Sequence, residues 1–317
     1  MSTLAVALAL SLVAAAVPHH IPLHRAMPTT GAAVWMLSLI LRTLIVVGVA
    51  TFAFARLAHS DPLEGALNWC WQVVLPDIPH RLGFAEHPVA HAVVAVPLFA
   101  MGAALVANAF GGLRSWRQLR RRLSGARSWG PLGAALLPGD EVVVAVTRFG
   151  RGRVVVSDRA LELMDERELA AGMAHEFAHL RRRHRPFLFL ASFLATIARP
   201  LPGTARAHRE LRFQLERDAD EWAVNKLHDP LSLASAICKV AGATEPRGAA
   251  SLAGSGAVTR RLSELLGEKG ARSTRVELAS RALAMALAGL VLALASAAPT
   301  WANSLGDARS GHSCSHR

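Results

Sequence analysis

Four apolar runs constrain this 317-residue chain more than any other feature: residues 4–17, 32–55, 89–113 and 282–301. A helix needs roughly 20 apolar residues to cross about 30 Å of hydrocarbon, and the last three runs are long enough. The first is short and no basic residue precedes it, so it reads as a short membrane helix rather than a cleavable leader, despite Ala14-Ala15-Ala16. Arg42 interrupts the second run and must snorkel, find a partner or face the interior of a bundle. With 52% hydrophobic residues, a mean hydropathy of +0.30 and charges gathered into particular stretches, the chain reads as a membrane protein carrying a soluble part.

The net charge of +12 lies mostly in arginines beside apolar runs, a pattern that membrane topology explains without nucleic acid. The densest cluster, Arg114-Ser-Trp-Arg-Gln-Leu-Arg-Arg-Arg, directly follows the third run, and the positive-inside rule assigns it to the cytoplasm. Alternation then puts the amino terminus outside and the hinge with Pro18, His19, His20, Pro22, His24 and Pro28 inside. That hinge reads as an exposed connector and not a second metal site, because its prolines deny its histidines helical spacing. The mixed-charge loop 56–87, with Trp69 and Trp71, falls outside, and the fourth run goes from inside to outside. Cys70, Cys238 and Cys314 have no CxxC spacing and are too few for a disulfide framework; Cys238 is expected as a core thiol.

Between the third and fourth runs the pattern changes. Residues 141–148 and 153–157 are short β-branched stretches around Phe149-Gly-Arg-Gly152, which predicts a hairpin. Ser157 can cap a short helix, and Asp165 with Glu168 three residues later marks the start of another. The latter carries His175-Glu176-Phe177-Ala178-His179. On a helix the two histidines stack one turn apart and can converge on one metal ion, while Glu176 falls beside it, where a carboxylate can act as general base. Residues 186–198 form an apolar run too short to span and are expected as a buried or half-inserted helix. A second amphipathic helix follows at 206–224, with Glu216 and Asp220 four apart on one face. Either carboxylate can complete the metal site while the other orients a ligand histidine. Residues 245–256 read as a mobile loop and 259–266 as a short helix with Arg260 and Arg261.

From about residue 142 to 242 the chain resembles the catalytic domain of membrane-embedded gluzincin metallopeptidases: the HtpX-like proteases, the CAAX prenyl proteases and the BlaR/MecR-like sensor-transducers. Arg153-Val-Val-Val-Ser-Asp, the HExxH segment and Glu216-Arg-Asp-Ala-Asp220 carry the resemblance. It implies that His175, His179 and Glu216 hold one Zn²⁺ per chain, that Glu176 is the general base toward a zinc-activated water, and that Asp220 orients a ligand histidine. Such peptidases often set a tyrosine or histidine against the oxyanion, yet this chain has no tyrosine. Arg212, His208, Asn225 and His184 are the candidates for that role. The hairpin offers an edge strand to which an extended substrate can add.

The expected architecture is a mainly α membrane protein with about four transmembrane helices and a zincin-like α+β peptidase domain with a small β-hairpin. Its parts are a membrane region at 1–113, a basic linker at 114–140, the peptidase domain at 141–270, a fourth span at 271–303 and a disordered tail at 304–317. The expected activity is that of a multi-pass membrane zinc endopeptidase, its site on the cytoplasmic side, cleaving membrane-associated or regulatory proteins. The alternative is a signal transducer whose peptidase domain cleaves a repressor. The expected partners are the lipid bilayer and a protein or peptide substrate.

Overall fold

The computed structural model describes residues 2–57, 88–123, 127–129, 134–138, 144–146, 154–244, 252–267 and 272–307. The interfacial loop with Trp69 and Trp71, the glycine turn at 149–152 and the terminal His312, Cys314 and His316 lie outside the described residues. Helix α1 (Ser2–Ala16) leads through two 3₁₀ turns into α2 (Pro28–Leu57), and α3 spans Pro88–Leu123. Four short strands follow: β1 (Arg127–Trp129), β2 (Ala134–Leu137), β3 (Val144–Val146) and β4 (Val154–Ser157). The remaining helices are α4 (Asp158–Leu163), α5 (Glu166–Arg181), α6 (His184–Ile197), α7 (Thr204–Leu227), α8 (Pro230–Thr244), α9 (Leu252–Leu265) and α10 (Thr274–Asp307).

The structure is mostly helical. Among the described residues two helices are long and apolar enough to cross a membrane, Pro28–Ala53 within α2 and Thr274–Ser296 within α10. They differ in setting: half of the apolar window in α2 is buried by neighbouring helices, against 11% in α10, whose Leu278, Met285 and Leu292 stand exposed. Helix α3 continues unbroken from the third apolar run into the arginine cluster and presents Phe99, Val106 and Phe110 outward.

Helix α2 is the hub. It packs against α1, α3, α6, α7 and α10, and its Val34, Leu39, Leu41 and Ile45 share one core with Leu194, Leu211, Leu215 and Leu287. Arg42 faces this interior at 4% exposure, donating to the carbonyls of Ala15 (2.9 Å) and Pro202 (2.6 Å). The carbonyls satisfy the guanidinium, so it has no need to reach the bilayer surface. Gly203, which starts α7, takes a left-handed φ of 85° beside it, and a Cβ there would press on Arg42 and His19 at 3.2 Å. The hinge expected as an exposed connector is instead packed: Pro18, Leu23 and Ala26 are buried, and the His24 carbonyl accepts from Arg217 at 2.7 Å.

The predicted hairpin is present, with β3 antiparallel to β4 in the register Val144↔Val156 and Val146↔Val154. It belongs to a larger sheet than the sequence suggested. The order is β1-β2-β4-β3, with β2 parallel to β4, so residues 127–129 and 134–137 of the basic stretch supply two strands. These segments are too short for alternation to be read along the chain. Two further expectations fail. Residues 252–256 are helical despite Gly254 and Gly256, since α9 packs on α8 and tertiary contacts outweigh weak propensity. Cys238 is exposed, because the buried face of α8 is set by Leu233, Ala234 and Ala236.

Candidate metal centre

The start of α5 is fixed by its sequence. Asp165 accepts from the Glu168 backbone N–H, and Glu168 accepts from the Asp165 N–H, each at 2.8 Å. Glu168 is 5% exposed and also accepts from Lys239 and Ser235 on α8, both at 2.5 Å. This network holds its pKa below the usual carboxylate range, against the opposing effect of its burial. The first turn of α5 is thereby clamped to α8, and HExxH follows two turns later.

Helix α7 packs across α5 and brings Glu216 to the histidines. His175 Nε2 lies 3.2 Å from His179 Nε2 and 3.4 Å from Glu216 Oε2, and His179 Nε2 lies 3.7 Å from Glu216 Oε1. Tetrahedral zinc, with ligand bonds of about 2.0–2.2 Å, sets its donors about 3.3–3.6 Å apart. Two imidazole nitrogens and a carboxylate at these separations could hold a metal ion.

Each histidine is gripped from behind. His175 Nδ1 lies 2.8 Å from Asp220 Oδ1, and Asp220 receives a two-pronged Arg261 guanidinium at 2.6 and 2.9 Å. Arg261 also reaches Glu216 at 3.2 Å. Burial pushes His175 down, but Asp220 and Glu216 outweigh it and raise its pKa to about 9. His179, desolvated and next to other cationic groups, falls to about 4. Burial works against the charged form of Glu216, yet His175 and Arg261 hold it down at about 2.

Behind His179 stands His184. Arg183 adopts a left-handed φ of 55°, and this tight turn folds the first residue of α6 back onto the motif. His184 Nδ1 is 2.9 Å from His179 Nδ1, and its Nε2 is 2.9 Å from Asp218 Oδ2. The proton positions follow from the partners. A carboxylate only accepts, so His184 carries its proton on Nε2; its Nδ1 then accepts from His179 Nδ1–H, which leaves the His179 Nε2 lone pair toward His175 and Glu216.

The four oxyanion candidates separate in space. Arg212 lines the open groove of about 1150 Å³ that also holds His175, Glu176, His179 and Glu216. His184 is 3% exposed on the opposite side of the His179 ring. His208 sits beside Ser192 at 3.3 Å, and Asn225 is exposed on the last turn of α7; neither lines the groove. Sequence reasoning named His184 in another role, against the oxyanion, and missed Asp218 and the part played by Arg261. His184 stands five residues after His179 and Asp218 two after Glu216, and these spacings could have flagged both. Arg261 lies 41 residues beyond Asp220, and only folding brings them together.

A helix bearing HExxH, a carboxylate from a second helix, and a small sheet beside them make a site that could hold a single metal ion. In agreement, residues 144–280 match the family model of peptidase family M48, the family of HtpX/BlaR-like membrane zincin metallopeptidases. No curated protein and no solved structure matches the chain. The matched segment, under half of the chain, is therefore similar to peptidase family M48, a family of zinc metallopeptidases.

Proposed function

We propose that the protein is a membrane-bound zinc metalloendopeptidase that hydrolyses peptide bonds in membrane-associated or regulatory proteins. His175, His179 and Glu216 hold Zn²⁺, which when bound supplies Lewis-acid polarisation of the scissile carbonyl and activation of water. Glu176 takes the proton released from the attacking water and passes it to the leaving amine. Asp220 and His184 fix the ring orientation of His175 and His179. Strand β3 is an edge strand whose Val144 lines the groove, so an extended substrate can pair along it. The observation that carries this reading is the spacing of the three donors, 3.2 to 3.7 Å, with Glu176 in the same groove.

The topology we propose has four spans, within α1, α2, α3 and α10, with the site at the cytoplasmic face. In its support, the hinge before α2, the start of α10 and the end of the third apolar run within α3 all lie toward the metal centre. The Ser273 N–H donates to the Arg25 carbonyl at 3.2 Å, Arg217 next to Glu216 donates to the His24 carbonyl, and Gly111 and Gly112 line the groove. The alternative, a transducer that cleaves a repressor, draws on one feature: α2 lies along α7, the helix that bears Glu216, with Gly31 against Gln214, while Arg42 reaches the Pro202 carbonyl just before α7 and Arg217 the His24 carbonyl just before α2.

Purified protein is expected to carry about one zinc per chain. Glu176→Gln is expected to abolish proteolysis while keeping the metal; proteolysis surviving this change would refute the assigned mechanism. Reporter fusions after residue 127 and after residue 317 are expected on opposite sides of the membrane, and finding both on one side would overturn the topology.

A further inference from the structure

The groove carries a cation that the catalytic reading leaves unused. Among the described residues three arginines line it. Arg261 is committed to Asp220 and Glu216, and Arg185 has a partner of its own. Arg212 is exposed and forms no hydrogen bond or ion pair among the described residues. It precedes Glu216 by four residues on α7, one helical turn along the same face, which sets its Cα about 6 Å from that of Glu216. Polar groups of fixed orientation accompany it. Ser192 lines the groove and is held by His208 at 3.3 Å; Asn108 lines it too, its amide nitrogen tied to the Ala104 carbonyl (2.8 Å) and Thr196 (3.2 Å). The acids that face the groove among the described residues, Glu176 and Glu216, are both taken up by the metal centre.

We propose that Arg212, flanked by Ser192 and Asn108, reads a carboxylate on the substrate, making the groove selective for peptides with an anionic group near the scissile bond. This rests on the peptidase reading. A planar guanidinium with unengaged donors matches a carboxylate two-on-two. An extended peptide advances about 3.3 Å per residue, so the turn between Glu216 and Arg212, plus the reach of the side chain, puts that carboxylate one to three residues from the cleaved bond. It belongs to an Asp or Glu side chain or to a free C-terminus.

The test uses the full-length zinc protein in detergent with internally quenched peptides that differ at one position. A Glu, Gln or Lys is walked through the three residues on each side of the bond, and a second set ends in a free acid or an amide. At one position kcat/KM is expected to be about 10- to 100-fold higher with the carboxylate than with its neutral counterpart, the range of one charge-assisted hydrogen-bonded pair. Whether the response comes from the Glu set or the free-acid set identifies the source. Arg212→Gln is expected to bring the ratio to about one with zinc content unchanged, and Arg212→Glu to favour Lys. Equal cleavage of all peptides by the wild-type protein, or an equal loss on acidic and neutral peptides in Arg212→Gln, would overturn the proposal.

A binding arm separates this from the peptidase reading. In the Glu176→Gln protein, anisotropy of labelled peptides is expected to show the same acidic preference, and the preference is expected to vanish when Arg212→Gln is added. Selective binding without cleavage by the wild-type protein would refute the peptidase reading alone; binding without preference would refute the role of Arg212.

Discussion

Asp218 touches neither the groove nor the metal donors, yet the hydrogen-bond chain makes zinc affinity depend on it. In Asp218→Ala the buried His184 Nε2–H loses its acceptor, an unmet demand of about 1–3 kcal/mol. The ring relieves it by carrying its proton on Nδ1, which lies 2.9 Å from His179 Nδ1. Two N–H groups cannot face each other at that distance, so His179 must carry its own proton on Nε2, the nitrogen 3.2 Å from His175 Nε2. Either cost falls on metal binding, and loss of a partner behind a ligand histidine lowers affinity about 10–100-fold, or roughly 1.4–2.7 kcal/mol. Asp218→Asn is the control: its amide oxygen can still accept from His184 Nε2, so its loss is expected to be only a few-fold. The lost Arg182 contact, at 3.1 Å with the Arg182 side chain 41% exposed, adds little. The assay is zinc affinity by chelator competition in detergent, with zinc-dependent thermal stabilisation as a second readout. Wild-type affinity in Asp218→Ala, or an equal loss in both variants, would refute the relay.

A proton and a metal compete for His175. Its pKa in the folded protein is raised to about 9, so the stability it contributes is complete below its ordinary value of about 6.5 and is lost as the pH rises through about 9. Chelator-stripped protein is therefore expected to melt lower as the pH rises across this window while zinc binds tighter, and His175→Gln should flatten both trends. Glu168 has the opposite sign: its lowered pKa gives stability present above the ordinary carboxylate value and lost on acidification. Glu168→Ala, which breaks the cap and removes the acceptor of Ser235 and Lys239, is expected to cost about 1–3 kcal/mol in denaturant unfolding. At Gly31, a Cβ would meet Gln214 Cδ at 2.7 Å, and Gln214 is fully buried. Gly31→Ala is expected to lower stability by about 1–3 kcal/mol, read by thermal unfolding in detergent, whereas Gly48→Ala, with open space around it, should not.

Much of this molecule is written in short-range pattern. Hydropathy marked α2, α3 and α10 because a long apolar run has few alternatives to a helix. The capping pair Asp165 and Glu168 marked the first turn of α5, and the spacings of His175 with His179 and of Glu216 with Asp220 fixed which side chains share a face, since helical period alone decides that. The β3–β4 pair was legible for the same reason, its β-branched residues flanking a glycine turn.

The rest depends on contacts between segments far apart in sequence. Which carboxylate meets the donors, Glu216 or Asp220, was open until α7 docked across α5, because both lie on one helical face. Arg42 had three possible fates, and the carbonyls of Ala15 and Pro202 that settle it lie 27 and 160 residues away. Arg261 carried no local sign of its grip on Asp220, and β1 and β2 looked like part of a basic linker. The sequence determined the HExxH face, the capped helix beneath it and the apolar helices around it. Only the tertiary structure decided what stands behind each histidine and which arginine is left facing the groove, since period and propensity act over a few residues and partners are chosen by packing.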